Sequence, residues 1–219
     1  MKAPKLSRKI LMTIIVLYFP VFAQQSDLSL GVNYLSEFIA SDYFLELKKD
    51  CSDLKLVDSI YIRALDFCDK DYEETLLALT FTTIPYREVP LVIPIIGARI
   101  YYPLISANDS ISTLKNKNLP AKLFFDSPDN DFGDKDKLAH FFGNGFIGYA
   151  ENILRLADVF GYFVESFEED FKAQSKVDFR DMDVNWYGVI FGDMLEINKK
   201  ILPSQIMTLR SLRYFILTL

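Results

Sequence analysis

A short segment, DKDKLAHFFGNGFIGYA (residues 134–150), contains His140, the one histidine of the chain, four residues after Asp136. Residues four apart share one face of a helix, so the carboxylate of Asp136 can orient the imidazole to act as a general base. Asn144 continues the same stripe. Two interpretations of this stripe stay open: it faces water, or it lines a polar cleft between helices.

A second polar stripe lies in the segment DMDVNWYGVIFGDML and consists of Asp181, Asn185, Gly188 and Gly192. A stripe that faces solvent seldom needs glycines, and a core stripe seldom takes both an aspartate and an asparagine. The pattern therefore predicts a tight helix crossing with buried hydrogen bonds, in which the two glycines have a structural role.

An acidic run, ESFEED (residues 165–170), provides a third polar element, with Glu168 on the flank of an apolar helix face. The simplest interpretation is a solvated helix end, but inside a cleft these carboxylates need a cation or an arginine. If the three elements converge, the candidate catalytic residues are Asp136, His140, Glu168, Asp181 and Asn185. One imidazole with several carboxylates suits Mg²⁺, Mn²⁺ or iron better than structural Zn²⁺, which makes a divalent metal ion the candidate cofactor. Its candidate ligands are His140, Asp136, Glu168 and Asp181.

The periodicity of apolar residues predicts a mainly α-helical bundle that positions these side chains. The predicted helices cover residues 32–47, 57–68, 71–82, 136–154, 156–173, 179–199 and 204–217. Residues 84–105 hold four prolines among branched apolar residues, which forbids a long helix. This proline-rich segment is predicted to be extended chain, an edge strand or a buried crossing loop. A polar interval, NDSISTLKNKNLP, follows it.

Residues 1–23 have the order of a secretory signal peptide: basic residues, an apolar run and a small residue, Ala23. The apolar run is shorter than the ~20 residues that a membrane-spanning helix needs, which favours cleavage near Ala23 over a permanent anchor. No cysteine follows the run, which disfavours a lipoprotein. The remaining chain is predicted to form one compact fold, with an N-terminal lobe (residues 24–130) and a C-terminal helical unit (residues 131–219).

Two cysteines, Cys51 and Cys68, are exposed to oxidation if the protein is exported. A disulfide between them would tie the first two predicted helices together and stabilise the fold by roughly 3 kcal/mol. The alternative is a pair of buried thiols. The formal net charge of −6 and the lack of a basic cluster argue against nucleic acid, and against anionic lipid headgroups, as main partners.

The C-terminal half resembles the YfiM-like and VanZ-like families of bacterial envelope proteins, over roughly residues 134–195. These families share D-K-x-x-H-F on one helix, matched here by Asp136, Lys137, His140 and Phe141. On the next helix they share E-x-x-[QE], matched by Glu165 and Glu168. On a third helix they share D-x-x-D-x-x-x-N-x-x-G-x-x-x-G, matched by Asp178, Asp181, Asn185, Gly188 and Gly192.

The signal-peptide-like start predicts an exported protein that is periplasmic or associated with the outer membrane, and the resemblance to envelope families agrees with this location. VanZ-like relatives are membrane proteins, whereas the predicted helices here carry Glu151, Arg155 and Asp158, which favours a soluble or peripheral version. The first hypothesis is a binding or scaffold module in which the polar cluster fixes helix register. In this hypothesis the proline-rich segment binds an envelope lipid, a glycan or another protein. Peripheral contact of the protein with a membrane is one form of this binding. The alternative is a metal-assisted hydrolase that acts on an envelope phospho- or glycan substrate.

Overall fold

Several helices begin at a polar side chain that accepts a hydrogen bond from the backbone three residues later, the usual N-cap arrangement. Ser26, Ser41, Asp71 and Asn108 serve in this way.

The computed structural model describes residues 26–92, 99–150 and 179–218. Within these ranges the elements are α1 (Asp27–Ala40), α2 (Asp42–Asp50), α3 (Asp53–Phe67), α4 (Tyr72–Thr83), β1 (Glu88–Val92), β2 (Arg99–Pro103), α5 (Asp109–Asn118), α6 (Lys135–Ala150), α7 (Phe179–Ile197) and α8 (Pro203–Thr218).

The prediction of a mainly α-helical bundle is confirmed. The single helix predicted for residues 32–47 is instead two helices, because Ser41 ends one and begins the other. Its hydroxyl donates to the carbonyl oxygen of Phe38 at 2.6 Å and accepts from the backbone N–H of Phe44 at 3.2 Å. One side chain thus caps both ends, and the chain changes direction there.

One hydrophobic core contains residues from both halves of the chain. At its centre the ring of Phe191 on α7 lies 5.2 Å from that of Phe141 on α6 and 5.6 Å from that of Tyr61 on α3. All three side chains are almost completely buried. None of the described helices is both long enough and apolar enough to span a bilayer.

The polar interval after the proline-rich segment forms α5, a helix whose buried face is polar. Lys115 donates to the carbonyl oxygens of Thr82 and Ile84 at 2.7 and 2.9 Å, and Asn118 donates to that of Ile39 at 2.9 Å. Burial lowers the pKa of Lys115 to about 8, since its acceptors are neutral carbonyl groups. The two Lys115 bonds satisfy carbonyl groups at the end of α4, and the Asn118 bond satisfies one at the end of α1.

The proline-rich segment forms two antiparallel strands, which we call the β-ribbon (residues 88–92 and 99–103). In its register Glu88 pairs with Pro103 and Val92 pairs with Arg99. All five residues of β2 are exposed, so the strand alternative is observed there and the buried loop is not. Residues 93–98, between the strands, lie outside the described part of the chain.

The predicted disulfide is absent, and Cys51 and Cys68 are both free thiols. The two cysteines flank opposite ends of α3, whose 15 residues make a helix about 22 Å long. A disulfide requires Cα atoms less than ~7 Å apart, so this geometry forbids the bond. Burial raises the pKa of the Cys68 thiol to about 11, which makes it unreactive at neutral pH.

We expect protein purified without reductant to contain two free thiols per chain after denaturation. In the native protein the half-buried Cys51 should react with a thiol reagent faster than the buried Cys68. Mass spectrometry after alkylation, with and without prior reduction, measures both quantities. A chain that takes up the alkylating group only after reduction would contradict the arrangement of the thiols.

Candidate functional site at the crossing of α6 and α7

Helices α6 and α7 approach each other at glycines, so that backbone contacts backbone. A Cβ atom on Gly188 would lie 2.5 Å from the carbonyl oxygen of Phe141, and one on Gly148 would lie 2.6 Å from that of Val189. A Cβ atom on Gly192 would lie 2.6 Å from the backbone nitrogen of Tyr149 and closer still to the carbonyl oxygen of Gly145. The tight crossing predicted from the glycine stripe is therefore observed.

Beside this crossing, hydrogen bonds between the two helices join His140, Asn144 and Asn185. The amide nitrogen of Asn144 donates to the carbonyl oxygen of His140 at 2.9 Å and to Oδ1 of Asn185 at 2.8 Å. The backbone carbonyl fixes which end of the Asn144 amide points inward, and this in turn identifies the facing atom of Asn185 as an acceptor.

The same acceptor determines the tautomer of His140. Nδ1 of His140 lies 3.0 Å from Oδ1 of Asn185, and since that oxygen only accepts, Nδ1 must carry the proton. In the neutral ring Nε2 then holds the lone pair, at 4.0 Å from Oδ1 of Asp181. The ring therefore presents its basic nitrogen on the side of the carboxylates.

Lys137 balances one of the two negative charges of Asp136 and Asp181. Its ammonium group lies 2.9 Å from Oδ2 of Asp136 and is also paired with Asp181. The Lys137 side chain is only 4% exposed. Burial acts to lower its pKa, but hydrogen bonds to Asp181 and Asp136 outweigh burial and hold the pKa of Lys137 above its ordinary value. A permanent ammonium ion thus occupies the position next to both carboxylates.

Four of the five candidate catalytic residues lie together: Asp136, His140, Asp181 and Asn185. The fifth, Glu168, lies outside the described residues, as do its neighbour Glu165 and Asp178. The His140 side chain is 12% exposed, so the α6 stripe faces α7 rather than water. Within residues 26–92, 99–150 and 179–218, no three His, Cys, Asp or Glu side chains are grouped to hold a metal ion. Oδ1 of Asp136 is buried and has no hydrogen-bond partner in this part of the chain.

The candidate site residues omitted Lys137, and they omitted Asn144 although it lies on the same stripe as His140. Lys137 follows Asp136 directly and so starts about 100° away on the helix surface, outside the stripe that a helical wheel selects. Its long side chain reaches around the helix to the carboxylates. The usable signal is that Asp136 and Asp181 lie on the two stripes expected to face each other, since carboxylates at a helix interface need a cation partner.

A second group of buried charges, which we call the loop-helix ion cluster, joins Asp126 and Asp134 to Arg180 of α7 and Arg210 of α8. Arg180 contacts Asp126 at 3.0 Å and Asp134 at 2.6 Å, and Arg210 donates to both oxygens of Asp126 at 2.7 and 3.1 Å. Burial raises the pKa of Asp126, but hydrogen bonds from Arg210 and Arg180 outweigh burial and hold it well below its usual range. This cluster fixes the loop before α6 against α7 and α8.

Comparison of the chain with protein-family models, with curated proteins and with solved structures finds no match. The resemblance of the C-terminal half to the YfiM-like and VanZ-like families stays a prediction.

Proposed function

We propose that this chain is an exported bacterial cell-envelope protein, related to the YfiM-like and VanZ-like families, that acts as a binding or scaffold module. In this proposal the polar cluster between α6 and α7 fixes the register of the two helices and carries out no reaction. The leader-like residues 1–23 and the motif spacings around His140 and Asn185 support the location and the family.

The observation that carries the scaffold role is the position of the Lys137 ammonium group between Asp136 and Asp181. A divalent ion in the same place would face a buried positive charge, which repels it strongly at short distance in a medium of low dielectric constant. Donors and acceptors of His140, Asn144 and Asn185 are paired across the helix crossing. Paired groups of this kind favour one register over its alternatives, because any shift leaves buried groups without partners.

The alternative function, a metal-assisted hydrolase for a phospho- or glycan substrate, has one observation in its favour. Asn185 accepts from Nδ1 of His140, so Nε2, on the side of Asp181, is the ring nitrogen that can take a proton from a substrate. Metal-dependent stabilisation separates the two proposals. If Mg²⁺ or Mn²⁺ raises the unfolding midpoint of the parent chain and His140→Ala abolishes that rise, the hydrolase proposal gains support and the scaffold proposal loses it.

The scaffold role makes a prediction for Asn185→Leu. The substitution leaves the Nδ1 proton of His140 without its acceptor and removes one acceptor of Asn144, so the free energy of unfolding should fall by about 2–4 kcal/mol. In thermal unfolding followed by circular dichroism, the midpoint should fall by about 5–12 °C for a chain of this size, with or without a divalent ion.

The matched control is Asn33→Leu on α1, a half-buried asparagine for which no side-chain hydrogen bond is found among the described residues. The unfolding midpoint of Asn33→Leu should change by less than half as much as that of Asn185→Leu. Equal midpoints for Asn185→Leu and Asn33→Leu would refute the register role of the cluster.

A further inference from the structure

One edge of strand β2 has no neighbouring strand among the described residues. The sheet there consists of β1 and β2 alone, and all five residues of β2 are exposed. An unpaired strand edge presents a row of backbone N–H and C=O groups to any extended chain that comes beside it. The free edge of β2 is therefore a surface at which a further strand can bind.

The register determines which backbone groups lie on this edge. The backbone N–H of Leu104 donates to the carbonyl oxygen of Arg87 at 2.8 Å, which makes these two residues a hydrogen-bonded pair. Such pairs alternate along an antiparallel ladder, so every second residue of β2 points its backbone groups away from β1. Those residues are Arg99, Tyr101 and Pro103. Since proline has no N–H, Arg99 and Tyr101 supply the two donors of this edge.

The outer edge of β1, by contrast, is blocked. Pro90 lies opposite Tyr101 in the register, so its backbone also points away from the partner strand, where it offers no N–H. Pro90 is the middle residue of a strand of five residues, and it interrupts the row of donors at its centre. The β-ribbon thus has one blocked edge and one open edge, and a further strand is favoured beside β2.

The donors and acceptors on the open edge of β2 are complementary to those of a second β2 strand. When two copies run antiparallel with their Tyr101 residues opposite each other, each Tyr101 N–H faces the carbonyl oxygen of the other Tyr101. Arg99 of one copy then lies opposite Pro103 of the other, and its N–H faces the carbonyl oxygen of that proline. Two N–H groups from each of two copies therefore form four hydrogen bonds.

The charge of Arg99 selects this register over its neighbour. If the two-fold axis passed through Ile100, the two Arg99 side chains would lie diagonally across the pair, about 7–8 Å apart, and would repel each other. With the axis at Tyr101, four residue spacings separate them, which is about 13 Å along the strands. The same register places Ile100 opposite Tyr102 of the second copy, and pairs of a β-branched and an aromatic residue stabilise antiparallel strands.

This pairing ends at two copies. In the resulting sheet of four strands, both outer edges belong to β1 and both carry Pro90, so neither accepts a further strand. A contact that uses the same surface on both partners around a two-fold axis is closed. The expected assembly is therefore a dimer and not a filament.

The helical bodies of the two copies lie at opposite ends of such a sheet. The base of the β-ribbon is fixed to the body, since Arg87 pairs with Asp109 at the start of α5 and Asn116 donates to the carbonyl oxygen of Pro85 at 2.8 Å. Antiparallel β2 strands run into their bodies in opposite directions. The two Leu104 residues, where the chain returns to each body, are then about 20 Å apart along the strands.

We propose that two copies of the chain associate through the open edge of β2, in a two-fold antiparallel pairing centred on Tyr101. The pairing buries one short strand edge from each copy, less than the ~800 Å² per partner of a stable interface, so the dimer dissociates on dilution. This inference goes beyond the proposed function. It depends neither on the envelope location nor on the polar cluster between α6 and α7.

Tyr101→Pro tests the backbone pairing. The substitution removes an N–H that points away from β1, and Pro90, directly opposite, already occupies the equivalent position on the partner strand. In sedimentation velocity of the full chain over a dilution series, the parent should change from monomer to dimer with rising concentration. Tyr101→Pro should sediment as a monomer throughout, with the same unfolding midpoint as the parent. The matched control, Tyr101→Thr, keeps the N–H and the strand propensity, so its association should weaken by at most about fivefold.

Disulfide trapping tests the register, in a chain that also carries Cys51→Ser and Cys68→Ser. The Cα atoms of a hydrogen-bonded antiparallel pair lie about 5.5 Å apart, within the range of a disulfide, so Tyr101→Cys should form a covalent dimer. Ile100→Cys places its thiols diagonally, about 7–8 Å apart, and should form little. Tyr43→Cys on α2 measures random collision, since Tyr43 is 61% exposed and Tyr101 62%. We expect at least about fivefold more covalent dimer from Tyr101→Cys than from either control.

Several outcomes would overturn the proposal. A parent chain that stays monomeric at every concentration is one of them. Another is a Tyr101→Pro variant that dimerises like the parent, because residues 1–23, which every variant carries, would then account for the association. If Tyr101→Thr were as fully monomeric as Tyr101→Pro, side chains and not the strand edge would hold the copies together. Equal cross-linking of Tyr101→Cys and either cysteine control would rule out a pairing centred on Tyr101.

Discussion

Replacement of Gly192 by alanine is expected to lower the free energy of unfolding by about 3 kcal/mol, at the upper end of the usual cost of overpacking. The added Cβ atom would lie 2.6 Å from the backbone nitrogen of Tyr149 and 3.0 Å from the carbonyl carbon of Gly148. Backbone atoms cannot rotate away as a side chain can, so α6 and α7 must separate. That separation also stretches the hydrogen bonds between Asn144 and Asn185. Chemical denaturation measures the change as a lower midpoint with an unchanged slope.

Gly143→Ala on α6 is the matched control for this prediction. Its Cβ atom would lie 3.3 Å from Cγ2 of Thr80, a side-chain atom that can give way by a few tenths of an ångström. Alanine also favours the helix over glycine by about 1 kcal/mol, which offsets that adjustment. The stability of Gly143→Ala should therefore stay within about 1 kcal/mol of the parent. If Gly192→Ala and Gly143→Ala lost the same free energy of unfolding, α6 and α7 would lie further apart at Gly192 than in the structure.

The sequence predicted the helical bundle and the helix crossing because both leave a periodic signal. Gly188 and Gly192 could be recognised because glycine weakens a helix unless a neighbouring backbone comes close, so its presence in a stripe points to a crossing. Asp181 and Asn185 on the same stripe indicated that the crossing also holds buried hydrogen bonds. The reasoning needed only the positions of these residues along one helix.

Other features could not be predicted because no periodic pattern of apolar residues marks them in the sequence. Helix α5 turns Ser112, Lys115 and Asn118 inward, so a search for periodic hydrophobic residues passes over it. The break at Ser41 depends on one hydroxyl that caps two helices. The disulfide prediction failed because the predicted helix began at residue 57, whereas α3 begins at Asp53, directly after Cys51, and holds the two cysteines apart.

Helix α4 connects the crossing to the β-ribbon. Near its C-terminal end, Thr80 contacts α6 at the position of Gly143, and the carbonyl oxygen of Thr82 is held by Lys115. The chain then continues through Pro85, which Asn116 holds, into β1. One continuous helix therefore contacts α6 next to the crossing and leads into the base of the β-ribbon.

Lys137→Met is expected to cost about 3–5 kcal/mol of unfolding free energy, because it leaves the buried carboxylate of Asp181 and the partly buried carboxylate of Asp136 without their cation. Methionine keeps most of the length and volume of the lysine side chain. The loss of unfolding free energy is therefore caused by the missing charge and not by poorer packing. The pKa of Lys137 is raised in the folded state, which places its stabilising contribution fully below about pH 10, the value in the unfolded chain. The loss measured by chemical denaturation should therefore be the same at acidic-neutral and mildly alkaline pH, between about pH 6 and about pH 9.

Two further variants separate the buried pair from an ordinary surface charge. Lys49→Met removes a lysine that is 67% exposed and paired with Glu46 at 2.7 Å, and should cost less than about 1 kcal/mol, since water screens that pair. Lys137→Met combined with Asp181→Asn removes one of the stranded charges and should recover part of the stability lost in Lys137→Met. If the double variant instead lost the sum of the two single losses, Lys137 and Asp181 would not be energetically coupled. The cluster would then not depend on the ammonium group, and the position of Lys137 would no longer argue against a metal ion at this crossing.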